Sequence, residues 1–127
     1  MSSVQLQTVN EKLQAFPLGR FVNDFLAYLS AEAGMSENTV LAYGRDLKNF
    51  VDYCSSNKIN SLHQIRPNII QRYQKILTIN ERSETSIKRS IVAIRMFLRF
   101  AKFAGLLQED FTALLHPAQR KRGGEAI

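Results

Sequence analysis

The chain has 127 residues, which is enough for one domain and too few for two full-sized hydrophobic cores. Its 45% apolar and 22% charged residues are typical of a folded globular protein and exclude wholesale disorder. The 17 Lys and Arg residues outnumber the 11 Asp and Glu residues, and the resulting charge of +6 favours a polyanionic partner, of which nucleic acid is the commonest.

Three features predict the compartment. The only cysteine, Cys54, excludes an intrachain disulfide and a cysteine-based zinc site, and a lone thiol suits a reducing cytoplasm. The N-terminal residues lack the charged start and apolar run of a secretory signal. The most apolar stretch, residues 91–107, is interrupted by Arg95, Arg99 and Lys102 and so cannot cross a bilayer. We therefore expect a soluble cytoplasmic protein.

The first half of the chain predicts two helices after a flexible N-terminal segment over residues 1–16. The first helix opens at Pro17, a residue suited to the first helical turn, and stops at Gly34. Ser36 is the predicted N-cap of the second helix, because its hydroxyl can accept from a free backbone N–H. Apolar residues at spacings of three and four form the core faces: Leu18, Phe21, Val22, Phe25, Leu26 and Leu29 in the first helix, and Val40, Leu47, Val51 and Cys54, with Phe50 beside them, in the second.

The second half predicts two further helices. The third begins at Pro67 and continues through Leu77, and the fourth begins near Ser83 and ends at Ala104, before Gly105.

A short terminal helix is expected around residues 110–115, followed by a basic linker over residues 117–127. No strand-length window alternates polar and apolar residues. The fold class is therefore all-α, with a compact domain of four or five helices over residues 17–116.

The fourth helix is predicted to be apolar around most of its circumference. One buried arc holds Ile87, Ile91, Ile94, Leu98 and Ala101, and Ala93, Met96, Phe97 and Phe100 cover much of the rest. The remaining narrow stripe is almost wholly cationic: Lys88, Arg95, Arg99 and Lys102, with Glu84 at its start and Val92 within it. An ordinary solvated face would usually mix signs, so the stripe favours an anionic partner, although a face that merely keeps the helix soluble stays an open alternative.

The second helix carries a matching polar side. Opposite its core face lie Asn38, Ala42, Arg45, Lys48 and Asn49, with Leu41 and Asp52 nearby. Asn and Arg side chains suit base edges, Lys suits phosphates, and Ala or Leu can touch a thymine methyl. An ordinary amphipathic surface is the alternative, and the acidic Asp46 and Asp52 support it.

The sequence supports an enzymatic function less well than it supports binding of an anionic partner. His63, Arg66 and Tyr73 have the residue types of a phosphoryl-transfer site, in which Tyr attacks while His and Arg stabilise charge. No further cationic cluster accompanies them, and we do not expect an enzyme. Cys54 lies on an apolar face, and His63 and His116 have no carboxylate or cysteine partners at ligand spacing, so no metal, cofactor or small-molecule ligand is predicted.

Two long motifs resemble a known family. Residues 34–50, GMSENTVLAYGRDLKNF, resemble the S-x-N-T-h-x-x-Y-x-x-D-L-x-x-F stretch (h, apolar) of phage-integrase and Xer-type tyrosine recombinases. Residues 83–100, SETSIKRSIVAIRMFLRF, resemble the later S-x-x-T-h-x-R-x-h-x-A-h-R-x-F-h-x-F helix of the same family, and residues 115–121, LHPAQRK, resemble the linker that follows. The resemblance covers roughly residues 17–121.

The resemblance implies the core-binding, SAM-like domain, which forms half of a C-shaped clamp on double-stranded DNA. In that family the second and fourth helices lie against the major groove. Carried over position by position, the implied DNA-binding residues are Asn38, Thr39, Leu41, Ala42, Arg45, Lys48, Thr85, Lys88 and Arg89, with Arg95 and Arg99 as further candidates that could instead brace the bundle. The first helix is implied to meet a neighbouring protomer of a synaptic tetramer, through Arg20, Asn23, Asp24 and Ala27.

The catalytic residues of the family belong to a C-terminal domain, and the resemblance carries none of them over to this chain. We therefore expect either a fragment of a longer recombinase, the favoured alternative, or a standalone relative, which binds one recombination half-site weakly by itself without cutting it. A helical protein-interaction module that binds an acidic partner is the alternative.

Overall fold

The computed structural model describes residues 4–107 of the chain. This part contains five α-helices and one short 3₁₀ helix: α1 (Val4–Leu13), α2 (Gly19–Ala31), α3 (Glu37–Ser56), the 3₁₀ helix (Leu62–Gln64), α4 (Pro67–Ile79) and α5 (Glu84–Phe103). Residues 4–107 contain no β-strand, and the all-α prediction is confirmed. The helix expected around residues 110–115, the linker over 117–127 and the predicted domain limit at residue 116 lie outside the described residues.

The first predicted helix begins at Gly19 and not at Pro17, whereas the other predicted helix starts agree with local side-chain and backbone geometry. The hydroxyl of Ser36 accepts a hydrogen bond from the Thr39 amide at 3.2 Å, and that of Ser83 accepts from the Ser86 amide at 3.1 Å. Both serines are N-caps, and each satisfies one amide of a first helical turn. Gly34 and Gly105 end α2 and α5 with positive φ angles of 67° and 80°, a conformation that glycine adopts without strain.

The prediction of a flexible segment over residues 1–16 is wrong, because Val4–Leu13 form α1. This helix buries Leu6, Val9 and Leu13, whose spacing of three and four residues places them on one face. The other residues of α1 are almost all polar, so that its apolar stripe is only three residues long. It packs against both α2 and α3.

The chain divides into two compact units, the first ending at Ile65 and the second beginning at Arg66. In the first unit, α1 and α2 both come close to α3 at Gly44. A Cβ atom at Gly44 would lie 3.1 Å from Val9 Cγ1 of α1 and 3.1 Å from Leu26 Cδ1 of α2. The absence of a side chain at this position therefore lets three helices pack closely around one point.

The second unit contains α4 and α5, which pack against each other. Pro67 is the first residue of α4, as predicted. The buried side of α4 is formed by Ile70, Tyr73 and Leu77. The buried side of α5 includes the whole predicted arc, and its members are Ile87, Ile91, Ile94, Leu98 and Ala101, together with Ser90, Ala93 and Phe97.

Candidate nucleic-acid interface

The positive charge of the chain is concentrated in the second unit. Residues 1–65 hold five Lys and Arg against six Asp and Glu, whereas residues 66–107 hold nine against two. A unit with this excess of cations attracts polyanions. The electrostatic part of any interaction with nucleic acid therefore resides mainly in α4, α5 and the residues joining them.

The open face of α5 carries exposed cations along its full length. Lys88, Arg99 and Lys102 are exposed, as the helical pattern predicts. Lys88 and Arg99 make no ion pair with any residue that the structure describes. Since neither side chain is held in an ion pair within residues 4–107, both remain available to a ligand.

The open face of α5 is wider than the predicted narrow stripe. Thr85 and Arg89 are also exposed, on the side away from Lys102, and both belong to the residues that the family resemblance assigns to DNA. Met96 and Phe100, which belong to the predicted apolar circumference of the helix, are half-buried, and Phe103 is 86% exposed. The helix consequently offers a surface on which cationic and apolar side chains lie next to each other.

Arg95 differs from Arg99 one turn later. Its side chain is half-buried and interacts within the chain, whereas Arg99 is exposed. Of these two further candidates, Arg99 has the geometry of a ligand-binding cation. The half-burial of Arg95 fits a bracing role.

The polar side of α3 is only partly open. Asn38, Thr39 and Arg45 are exposed, and Ala42 and Lys48 are half-buried. Arg45 and Lys48 make no ion pair with another described residue. The hydroxyl of Thr39 accepts a hydrogen bond from the Ser36 hydroxyl at 3.0 Å, so this side chain also takes part in capping the helix. The side retains two cations that form no ion pair with a described residue, and two amide- or hydroxyl-bearing residues.

Leu41 does not lie on an open surface. Only 7% of its area is exposed, so the expectation that it touches a thymine methyl has no support in this arrangement. Leu41 lies three residues, about one helical turn, before Gly44, which Val9 of α1 approaches. Its burial comes from tertiary packing, which the periodicity of α3 alone does not reveal.

The two carboxylates that weakened the nucleic-acid interpretation of α3 differ in exposure. Asp46 is 5% exposed and interacts within the chain, so it does not present a carboxylate to a ligand. Asp52 is exposed, one turn after Lys48. A single acidic side chain therefore remains near the cations of α3.

The residue types that suggested catalysis are not brought into an open site. Tyr73 is 4% exposed and belongs to the buried side of α4. His63 is exposed in the 3₁₀ helix, where Gln64 Oε1 accepts hydrogen bonds from the amides of Asn60 at 2.8 Å and Ser61 at 3.1 Å. A buried tyrosine fits a packing role better than that of a nucleophile.

Cys54 is also placed for packing. It is fully buried, and burial raises the pKa of its thiol to about 12 because desolvation disfavours the thiolate. Within residues 4–107, no three His, Cys, Asp or Glu side chains are grouped so that they could hold a metal ion. Of the helices in this range, none is both long and apolar enough to cross a membrane.

Comparisons with known proteins agree with the motifs. A family model described as "Phage integrase, N-terminal SAM-like domain" matches residues 22–105. A protein named "Tyrosine recombinase XerD" from Halalkalibacterium halodurans is 35% identical over 124 residues, which cover 96% of this chain and 38% of that relative.

Proteins of the same name from two staphylococci are similar to the same degree. The Staphylococcus epidermidis protein is 35% identical over 98 residues, covering 77% of this chain and 33% of the relative. The Staphylococcus aureus protein is 35% identical over 94 residues, covering 74% and 32% respectively. The matched part thus spans about a third of the length of these curated relatives. No solved structure matches the chain.

Proposed function

The chain belongs to the phage integrase N-terminal SAM-like domain family, and on that premise we propose that it binds duplex DNA as the core-binding domain of a tyrosine site-specific recombinase. The single observation that carries the proposal is the open face of α5. It presents Lys88 and Arg99, which make no ion pair with a described residue, in a unit whose described residues hold nine cations against two acids. Phosphate neutralisation of this kind supplies most sequence-independent affinity for DNA.

We assign different kinds of DNA contact to α5 and α3. Lys88, Arg89 and Arg99 of α5 neutralise phosphates, with Thr85 donating a hydrogen bond at the start of the helix. On α3, Arg45 and Asn38 have side chains suited to base edges, and Lys48 suits a phosphate. Since residues 1–65 carry no excess of cations, α3 contributes orientation and limited base contact more than bulk affinity.

Both helices engage one duplex in this proposal, as the family resemblance implies for its second and fourth helices. Ala42 is half-buried and small, so it permits a close approach of the DNA to α3. Leu41 has no part in the contact because it is buried. The recombination half-site is recognised by the whole recombinase, to which this domain contributes part of the affinity.

Contacts with further recombinase protomers are proposed for the exposed side of α2. Asp24 and Ala27 are exposed there, and the Arg20 guanidinium lies 4.8 Å from the centre of the Phe21 ring. Asn23 is less suited to such a contact because its Nδ2 donates to the backbone carbonyl of Asn10 in α1. Strand cleavage is proposed for the whole recombinase and for none of the described residues of this chain.

The test is the salt dependence of duplex affinity, combined with a matched pair of charge reversals. Each phosphate contact should contribute a slope of about −0.9 to log K against log salt, so the affinity should fall steeply between low and moderate salt. Lys88→Glu should weaken binding and make the slope shallower. Lys75→Glu reverses an exposed charge on α4 of the same unit and serves as the control for long-range repulsion.

Two outcomes would contradict the proposal. One is an affinity for duplex DNA that does not change with salt, and the other is an equal effect of the two charge reversals. Displacement of the DNA by polyglutamate, with no displacement by random duplex, would instead support a module for acidic proteins. Covalent attachment to a nicked duplex would support an enzyme built on Tyr73, and none is expected.

A further inference from the structure

The helix α1 lies before the region that the family model matches, yet it is an integral part of the first unit. The match begins at residue 22, whereas α1 spans Val4–Leu13 and packs against α2 and α3. We infer that α1 is a positioning element that holds the DNA-binding side of α3 in place, and that Val9 is the residue through which it acts. This inference rests on the proposed function.

The contact between α1 and α3 is next to the proposed DNA-binding residues. Val9 Cγ1 would lie 3.1 Å from a Cβ atom at Gly44, so α1 touches the backbone of α3 directly at this point. Gly44 precedes Arg45 and lies one turn before Lys48. Because no side chain intervenes, a displacement of α1 passes directly to the backbone that carries both cations.

The other end of α1 is anchored to α2. A methyl group at Gly19 would overlap the carbonyl oxygen of Leu13, so the end of α1 lies directly against the start of α2. The Asn23 side chain donates to the backbone carbonyl of Asn10 at 3.3 Å, and Leu13 is fully buried. With one end fixed on α2 and Val9 against α3, α1 braces one helix against the other.

The effect of α1 on DNA binding must act through geometry. Its two charged residues, Glu11 and Lys12, cancel, so the helix adds no net charge to the surface. Its only described contribution near the DNA-binding residues is packing. A variant that displaces α1 without unfolding the unit should therefore remove the contacts of α3 with DNA and leave those of α5.

Val9→Asp is the variant that tests the inference, because it places a charge in the buried contact with Gly44. Thr8→Asp introduces the same charge at the exposed neighbouring position and is the matched control. We expect Val9→Asp to weaken duplex binding about five- to tenfold relative to Thr8→Asp. The salt slope should become shallower by about 0.9, since Lys48 is the residue of α3 that we assign to a phosphate.

A double-mutant cycle separates positioning from a general loss of structure. In the Val9→Asp background, Arg45→Ala should cause little further loss of affinity. Lys88→Ala should reduce the affinity by the same factor in both backgrounds. If Val9→Asp does not fold by circular dichroism, Val9→Ala is used in the same cycle, with a smaller expected loss.

The possible results distinguish this inference from the proposed function. If the unmodified chain binds duplex DNA but Val9→Asp binds as tightly as Thr8→Asp, the positioning role of α1 is wrong and the proposed function stands. A cycle in which Val9 couples equally to Arg45 and Lys88 would also overturn it, since it would show a general structural effect. If the unmodified chain has no salt-dependent affinity for DNA, both fail.

Discussion

The thiol of Cys54 lies among buried residues of α3, where burial raises its pKa from 9.0 to about 12. At pH 8 the folded protein therefore holds a neutral thiol, and the thiolate needed for reaction is scarce. We expect Cys54 to react slowly with an aromatic disulfide reagent in the native protein and at the rate of a free cysteine in urea. Rapid labelling of the native protein at pH 8 would show that this part of the core opens.

The same raised pKa makes a prediction about stability at high pH. The folded pKa of Cys54, about 12, lies above its value of 9.0 in an exposed setting. The contribution of the neutral buried thiol is therefore fully present below pH 9 and is lost progressively between pH 9 and 12, as the unfolded chain gains a thiolate first. The free energy of unfolding should consequently fall more between pH 8 and 10.5 in the unmodified protein than in Cys54→Ala, and equal falls would contradict the assignment.

Leu41 shows why the side-chain pattern of one helix is not sufficient to define which residues are exposed. Leu41 lies on the polar side of α3 by its position in the helix, yet it is 7% exposed. Burial of this residue depends on tertiary packing, which the periodicity of α3 cannot reveal.

At the scale of the helix, α5 contains both the buried arc and the proposed ligand-binding face. Ile91 is 2% exposed, whereas Lys88, three residues earlier, is exposed. Ile91→Asp should unfold the second unit, because it places an unpaired charge among apolar side chains. Lys88→Glu should retain the helical content and thermal transition of the unmodified chain. Thermal unfolding followed by circular dichroism measures both, and a Lys88→Glu variant that melts early would show that the faces of α5 are wrongly assigned.

Most of the helices could be predicted from local sequence signals. The serine caps at Ser36 and Ser83 and the glycine stops at Gly34 and Gly105 have physical effects within one turn, so the residues themselves reveal them. The buried arc of α5 was also readable, because five apolar residues recur at helical spacing.

The features that were not predicted from the sequence are those for which the local sequence pattern is weak. The apolar stripe of α1 has only Leu6, Val9 and Leu13 among polar neighbours, and its helix is stabilised by packing on α2 and α3. Met96 and Phe100 of α5 are half-buried, and the degree of their burial depends on tertiary packing that the helical periodicity does not reveal. The cationic residues of the candidate site were found because charge and exposure usually coincide, and their contact with DNA stays a prediction.

At the scale of the whole molecule, the formal charge of +6 conceals an uneven distribution. Residues 66–107 hold nine cations and two acids, whereas residues 1–65 are close to neutral. We therefore propose that the second unit supplies most of the electrostatic attraction and that α3 of the first unit supplies most of the base contact. Both units must then engage the same DNA for the domain to function as proposed.

Amide NMR spectra recorded during titration with a short duplex test directly whether α3 and α5 bind the same DNA molecule. We expect the amides of residues 38–48 of α3 and 85–99 of α5 to shift together along one saturation curve, while the amides around Lys75 on α4 shift little. Shifts confined to one of the two helices, or two saturation curves with different midpoints, would contradict the claim that α3 and α5 bind a single duplex.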